Sequence, residues 1–314
     1  MGLLVEGKWV DQWYDTKESG GKFVRKDSSF RQHIGDDAFP AEAGRYHLYV
    51  SLACPWAHRT LIFRKLKSLT DLIDVTVVSP DMLDKGWEFK PKAEPLYGYH
   101  YAHQLYTKAE ADYTGRVVVP ILWDKKTQTI VSNESAEIIR MFNSAFNHLT
   151  SNFADYYPED LRPAIDEVNE DIYHNINNGV YKCGFATTQE AYDEAFQDLF
   201  AALDRVEARL SSKRYLVGER ITEADWRLFT TLIRFDAVYF GHFKCNHKQI
   251  ADYPNTYRYL KDLYAMPHIA ETVNIEHIKR HYYYSHESIN PTRIVPQGLP
   301  SIFQVSNGVH TNNM

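Results

Sequence analysis

Cysteine is scarce: the 314-residue chain has three, Cys54, Cys183 and Cys245. So few exclude a disulfide framework and suit a reducing compartment. Long apolar runs are missing as well. The longest, over residues 117–123, is far too short to span a membrane, and Met1-Gly2-Leu3-Leu4-Val5-Glu6 lacks the charged-then-apolar order of a secretion signal. Glu6 stands where a myristoylation motif wants Ser or Thr. Positive charge is not in excess. The 35 Lys and Arg face 41 Asp and Glu, a formal charge of -6, which argues against a chain whose main task is neutralising phosphates. Nor does the sequence hold a P-loop, a Gly-x-Gly-x-x-Gly or a Gly-x-Ser-x-Gly motif. The expectation is a cytoplasmic protein of about two domains, with no nucleic-acid and no membrane partner.

Tyrosine, by contrast, is plentiful, with 22 in the chain. Its flat ring and hydroxyl suit ring-shaped ligands and subunit interfaces, and equally a tyrosine-rich core and surface.

Residues 1–45 read as an irregular arm laid on the body by Trp9, Trp13 and Tyr14. Regular patterning then begins. Residues 46–50 look like a strand, 55–67 like a helix and 73–78 like a β-branched strand. Residues 117–123 form a strand pattern interrupted by Pro120. A turn at 124–126 leads to a short strand through Ile130 and Val131, then to a helix opening near Asn133. Strand–helix–strand favours a parallel pair, and the next two strands are close enough for a hairpin. This is the outline of a thioredoxin-like α/β domain over residues 46–150, with a long insert at 80–115 as a candidate functional loop. From 158 to 290 the patterns are all helical: 161–177, 189–210, 222–239 and 255–264. Thr222-Glu223-Ala224-Asp225 has the form of a structural capping box. Residues 291–314 read as an extended or loose tail.

Cys54-Pro55-Trp56-Ala57 is the sharpest local signal. A cysteine after a strand, with proline at the first helical position, faces unpaired N–H groups and the positive end of the helix dipole. Both favour the nucleophilic thiolate; the alternative is a cysteine packed as a small hydrophobe. Ala57 stands where a dithiol enzyme would carry its resolving cysteine. A mixed disulfide at Cys54 must therefore be released by a distant cysteine or an external thiol, naturally glutathione. Val119-Pro120 fits a cis bond at a strand end that opens the Val119 backbone to a ligand, or an edge-strand proline. Ser132-Asn133-Glu134-Ser135 fits a helix start that binds a zwitterionic amino-acid end, or plain N-capping. His58 and Arg59 either support the thiolate or serve surface and structural roles. His277 and His281 have zinc-compatible spacing but no recognisable third ligand, so no metal site is expected.

With these residues in view, YVSLACPWAHRTL (49–61) resembles the active-site segment of the Xi-class glutathione transferases, the glutathionyl-hydroquinone reductases. GRVVVPILWDKKTQTIVSNESAEIIRMFN (115–143) resembles their glutathione-binding half. NNGVYKCGFA (177–186), ITEADWRL, GHFKCN and HIKRHYY…SH…NPTRIVP resemble their helical domain and tail, so the likeness covers nearly the whole chain. The resemblance implies a thioredoxin-like glutathione-binding domain followed by an all-helical domain, working as a homodimer. It implies Cys54 as catalytic, and Trp87, Arg116, Val119, Pro120, Glu134 and Ser135 as glutathione-binding. Trp87 would pack on glutathione, Arg116 would lie near its glycine end, and the Val119 backbone would pair with its cysteinyl part. Glu134 and Ser135 would clamp the γ-glutamyl end, and Tyr181 and Tyr282 would hold a hydroquinone. The implied reaction reduces glutathionyl-hydroquinones through a Cys54–glutathione disulfide, releasing oxidised glutathione. An omega-like thioltransferase or dehydroascorbate reductase would share that half-reaction. A non-catalytic glutathione-fold docking module would leave Cys54 unreactive.

Overall fold

The computed structural model describes residues 2–304. The chain forms two units. One comprises Met1–Asp15, Arg25–Glu159 and Glu271–His281; the other comprises Thr16–Val24, Asp160–Ala270 and Tyr282–Met314.

In the first unit the arm is more regular than its composition predicts. Strands β1 (Leu3–Val5) and β2 (Lys8–Val10) form a hairpin. Its turn places Glu6 and Gly7 at φ 48° and 74°, as a tight two-residue loop requires. Strand β3 (Tyr46–Val50) is buried at every residue, and α1 (Pro55–Leu66) follows it. Next come β4 (Asp74–Val77), the short α2 (His103–Ala109) inside the 80–115 insert, and β5 (Gly115–Arg116). Strands β6 (Ile121–Asp124) and β7 (Thr129–Ser132) lead into α3 (Ser135–Ser144) and the one-turn α4 (Asn147–Thr150).

The main sheet has the order β4-β3-β6-β7. β3 and β4 are parallel, β3 and β6 antiparallel, and β6 with β7 makes the hairpin. Pro120 does more than interrupt a strand. It separates β5, which pairs with β1 in a second sheet, from β6 in the first. A proline has no N–H for a ladder, so the chain changes sheets where the ladder must break. A signal absent from the residue pattern is the stretch 28–33. It runs beside β7 through Gln32 N–H to Val131 C=O (2.9 Å) and a bridge between Arg31 and Ser132.

The second unit is helical: α5 (Arg162–Ile172), α6 (Gly179–Phe185), α7 (Gln189–Leu210), α8 (Glu223–Arg234) and α9 (Pro254–Tyr264). α6 packs on α7, and α5 on α8. Two helices read as running to 177 and 239 instead finish in wide turns. Asn178 N–H reaches Tyr173 C=O, and Phe240 N–H reaches Phe235 C=O, each across five residues at 2.9 Å. One added residue per turn rotates the side chains that follow by about 100°. The last two helices among the described residues are α10 (Ile275–Ser285) and the short α11 (Ser301–Gln304), so 301–304 are helical rather than extended or loose, while residues 305–314 of that tail lie outside the described residues. Among the described residues, no helix is long and apolar enough to cross a membrane.

Candidate active site

Cys54 is the N-cap of α1. Its backbone is extended (φ -74°, ψ 122°), its carbonyl accepts from His58 N–H (3.0 Å), and its Sγ accepts from Ala57 N–H at 3.5 Å. Pro55 begins the helix without an N–H to satisfy, and the Ala57 N–H of the first turn points at the sulfur. Cys54 is partly exposed, whereas Cys183 and Cys245 are buried. Burial raises the Cys245 thiol well above its ordinary range, and the neighbouring Cys183 thiol adds to this. Of the three sulfurs, only Cys54 combines access with an electropositive setting.

The structure brings Cys54 to Val119. The Cys54 thiol lies 3.5 Å from the Val119 carbonyl, and the Val119–Pro120 bond is cis. Tyr106 holds the same segment one residue earlier. Its hydroxyl donates to Val118 C=O (2.8 Å) and accepts from Val118 N–H (3.2 Å) and Asn133 Nδ2 (3.1 Å). One buried phenol therefore ties the Val119 loop to the start of α3, and burial keeps it un-ionised.

Glu134 caps α3. One carboxylate oxygen accepts from Ala136 N–H (2.9 Å) and the other from the Ser28 hydroxyl (3.1 Å). Capping is thus present. A carboxylate has about four lone-pair sites, however, so capacity for an ammonium remains. Ser135 is buried, and its hydroxyl accepts from Arg59 Nη1 at 3.5 Å. Among the roles open to Arg59, the structure shows a buried, linking one rather than a surface one. Arg59 lies 4.6 Å from the Trp56 ring centroid, and it links the starts of α1 and α3. His58 is buried too, but its Nε2 pairs with Thr272 Oγ1 at 2.7 Å.

Arg116 sits under the arm. Its guanidinium donates to the Gln12 carbonyl and stacks 4.2 Å from the Tyr14 ring centroid. Burial lowers its pKa from the usual arginine value. Trp87 is buried in the insert, stacked on His281. The second of the paired histidines is thus engaged with an indole. Among the described residues, no group of three His, Cys, Asp or Glu is placed to hold a metal ion.

In the helical unit Tyr181 and Tyr282 meet, their hydroxyls 2.5 Å apart. A third phenol, Tyr239, lies 3.0 Å from Tyr282 and was not singled out from the sequence. It closes the second wide turn, and the shift in phase that carries it inward is invisible to a 3.6-residue pattern. Burial raises Tyr239 and Tyr282 well above ordinary phenol values, while the buried Arg234 pulls the other way. At neutral pH these hydroxyls stay protonated and can act as hydrogen-bond donors.

Comparison with known proteins agrees with this geometry. The glutathione S-transferase N-terminal domain model matches residues 53–145, and the C-terminal domain model matches residues 189–262. The glutathionyl-hydroquinone reductase YqjG of Escherichia coli is 56% identical over 95% of this chain and 95% of its own. Its glutathione-bound structure superposes with a TM-score of 0.88 at 51% identity, covering 96% of this chain and 97% of that one. The glutathione transferase Xi of Phanerochaete chrysosporium gives 0.89 at 53% identity, covering 92% and 96%. A thioredoxin-like glutathione transferase domain followed by a helical one, joined to likeness of this extent, shows that the chain belongs to the Xi class of glutathione transferases, the family of the glutathionyl-hydroquinone reductases.

Proposed function

We propose that the protein reduces glutathionyl-hydroquinones to hydroquinones, with glutathione as reductant. The observation that carries this reading is Cys54 itself: a partly exposed N-cap sulfur with Ala57, not a second cysteine, at the resolving position. The Cys54 thiolate attacks the glutathione sulfur of the substrate. The carbon–sulfur bond breaks, its electron pair stays with the ring carbon, and that carbon takes a proton. Cys54 is left as a mixed disulfide with glutathione. A second glutathione thiolate attacks that disulfide, so oxidised glutathione leaves and the Cys54 thiolate returns. A sulfur that leaves readily as thiolate serves this second half as well as the first.

The residues suit a γ-glutamyl tripeptide. Glutathione carries an ammonium and two carboxylates. Glu134 offers an anion, Ser135 and Arg59 offer donors at the start of α3, and Arg116 offers a second cation. Val119 and Pro120 would align the cysteinyl part beside Cys54, and Trp87 would pack against the peptide. Tyr181 and Tyr282 would hydrogen-bond the hydroquinone oxygens and assist protonation of the ring. The enzyme would act in the cytoplasm as a homodimer.

The test is the product balance on a glutathionyl-hydroquinone plus glutathione. Wild type is expected to form hydroquinone and oxidised glutathione in equal amounts, and Cys54→Ser neither. A wild type that spares this substrate but reduces dehydroascorbate would overturn the reading.

A further inference from the structure

Trp87 sits in the middle of the long insert, and something must fix its ring. The backbone around it is held from one side: Ala102 N–H donates to Trp87 C=O (2.9 Å), and Phe89 N–H to His100 C=O (2.8 Å). Its indole face is held from another part of the chain. The His281 ring stacks on it, with centroids 4.9 Å apart and planes 24° from parallel. His281 is itself fixed. Its Nδ1 lies 2.9 Å from the Pro80 carbonyl, and a carbonyl only accepts, so Nδ1 carries the proton. The preceding residue, Arg280, makes a two-point ion pair with Asp81 at 2.7 and 3.0 Å. Two successive residues of α10 thus clamp Pro80 and Asp81, and the second also covers the indole.

We propose that His281 is a positioning residue for the glutathione-binding face of Trp87, acting through ring stacking and the anchor to Pro80. The inference rests on the reading of Trp87 as a glutathione contact. His281 touches no reacting atom in this account; it sets the orientation of the indole that does the binding.

The test is a double-mutant cycle on full-length protein, with the glutathione dissociation constant measured by calorimetry. His281→Asn keeps a short N–H donor towards Pro80 and loses the ring. In the wild-type background it should weaken glutathione binding about three- to tenfold, the scale of one aromatic stack, and leave kcat at saturating glutathione within about twofold. In a Trp87→Ala background the same change should have almost no effect, because the ring it orients is gone. His281→Phe keeps the stack and guards against loss of folding; its binding should fall between wild type and His281→Asn. Equal losses from His281→Asn in both backgrounds would overturn the proposal, as would unchanged glutathione binding on His281→Asn in otherwise wild-type protein. Should Trp87→Ala alone leave glutathione binding intact, the reading of Trp87 fails and takes this inference with it.

Discussion

At the scale of single residues, the three cysteines differ by placement rather than chemistry. Cys54 has the Ala57 N–H of α1 directed at its sulfur and is partly exposed. Cys183 and Cys245 are buried, where reagents do not reach, and burial further disfavours the Cys245 thiolate. Alkylation of the native protein by iodoacetamide near neutral pH should therefore label Cys54 alone, with the other two reacting only after denaturation. Peptide mass mapping reads the result directly, and early labelling of Cys183 would contradict this ordering. Arg59 teaches a related lesson. A buried guanidinium needs acceptors and a polarisable surface, and it has the Ser135 hydroxyl and the Trp56 face. Its position just after the cysteine motif was plain in the sequence, but nothing in one helix's spacing reveals an acceptor 76 residues away.

At the scale of elements, the start of α8 shows how much one capping residue can organise. Asp225 accepts from Thr222 N–H (2.7 Å) and Thr222 Oγ1 (3.2 Å), closing the box expected from the sequence. It also accepts from Leu216 N–H (3.0 Å) and Tyr259 OH (2.8 Å), so it fastens α9 and the preceding loop as well. Burial nevertheless outweighs these four donors and pushes its carboxyl from 3.8 up to about 6. The sign follows directly. Between those values the folded chain keeps a proton that the unfolded chain has lost. Asp225's contribution is therefore full below about pH 4 and declines as pH rises towards 6, by roughly 3 kcal/mol at most. Urea unfolding across that range should show a shallower loss, or a steeper gain, in Asp225→Asn than in wild type. Identical slopes would show that the carboxyl does not titrate in this way.

The main sheet was readable because β3, α1 and the β6–β7 hairpin are set by neighbours in sequence: strand period, a proline start and a tight turn. Three features were not. Residues 28–33 pair with β7 although their polar composition has no alternation. The insert is pinned by the buried Glu94, which accepts from Tyr49 OH (2.6 Å) and from its own Leu96 and Tyr97 N–H groups. The wide turns at 173–177 and 235–239 shift the helical phase that any periodic reading assumes. Each depends on partners far along the chain or on one extra residue in a turn, and hydrophobic period carries neither.

At the scale of the whole molecule, the chemistry is divided by unit. The sulfur, the cis-proline segment and the N-terminus of α3 belong to the first unit, and the three clustered phenols to the second. Trp87, Arg116, Tyr181 and Tyr282 are assigned by resemblance to the family, whereas Val119-Pro120 and the start of α3 also stand out in the residues themselves. The proposed homodimer has a direct check: light scattering on the purified protein should give the mass of two chains across a tenfold dilution, and a single-chain mass would exclude it at those concentrations.

The central claim is that Cys54 alone carries glutathione between two acts of thiol exchange. It is tested most directly by giving the enzyme a glutathionyl-hydroquinone without free glutathione. One equivalent of hydroquinone should form per active site, and Cys54 should gain the mass of one bound glutathione. Added glutathione should then restore the free protein and release oxidised glutathione in equal amount. Turnover in Cys54→Ser, or hydroquinone release from wild type with no adduct on Cys54, would contradict the account.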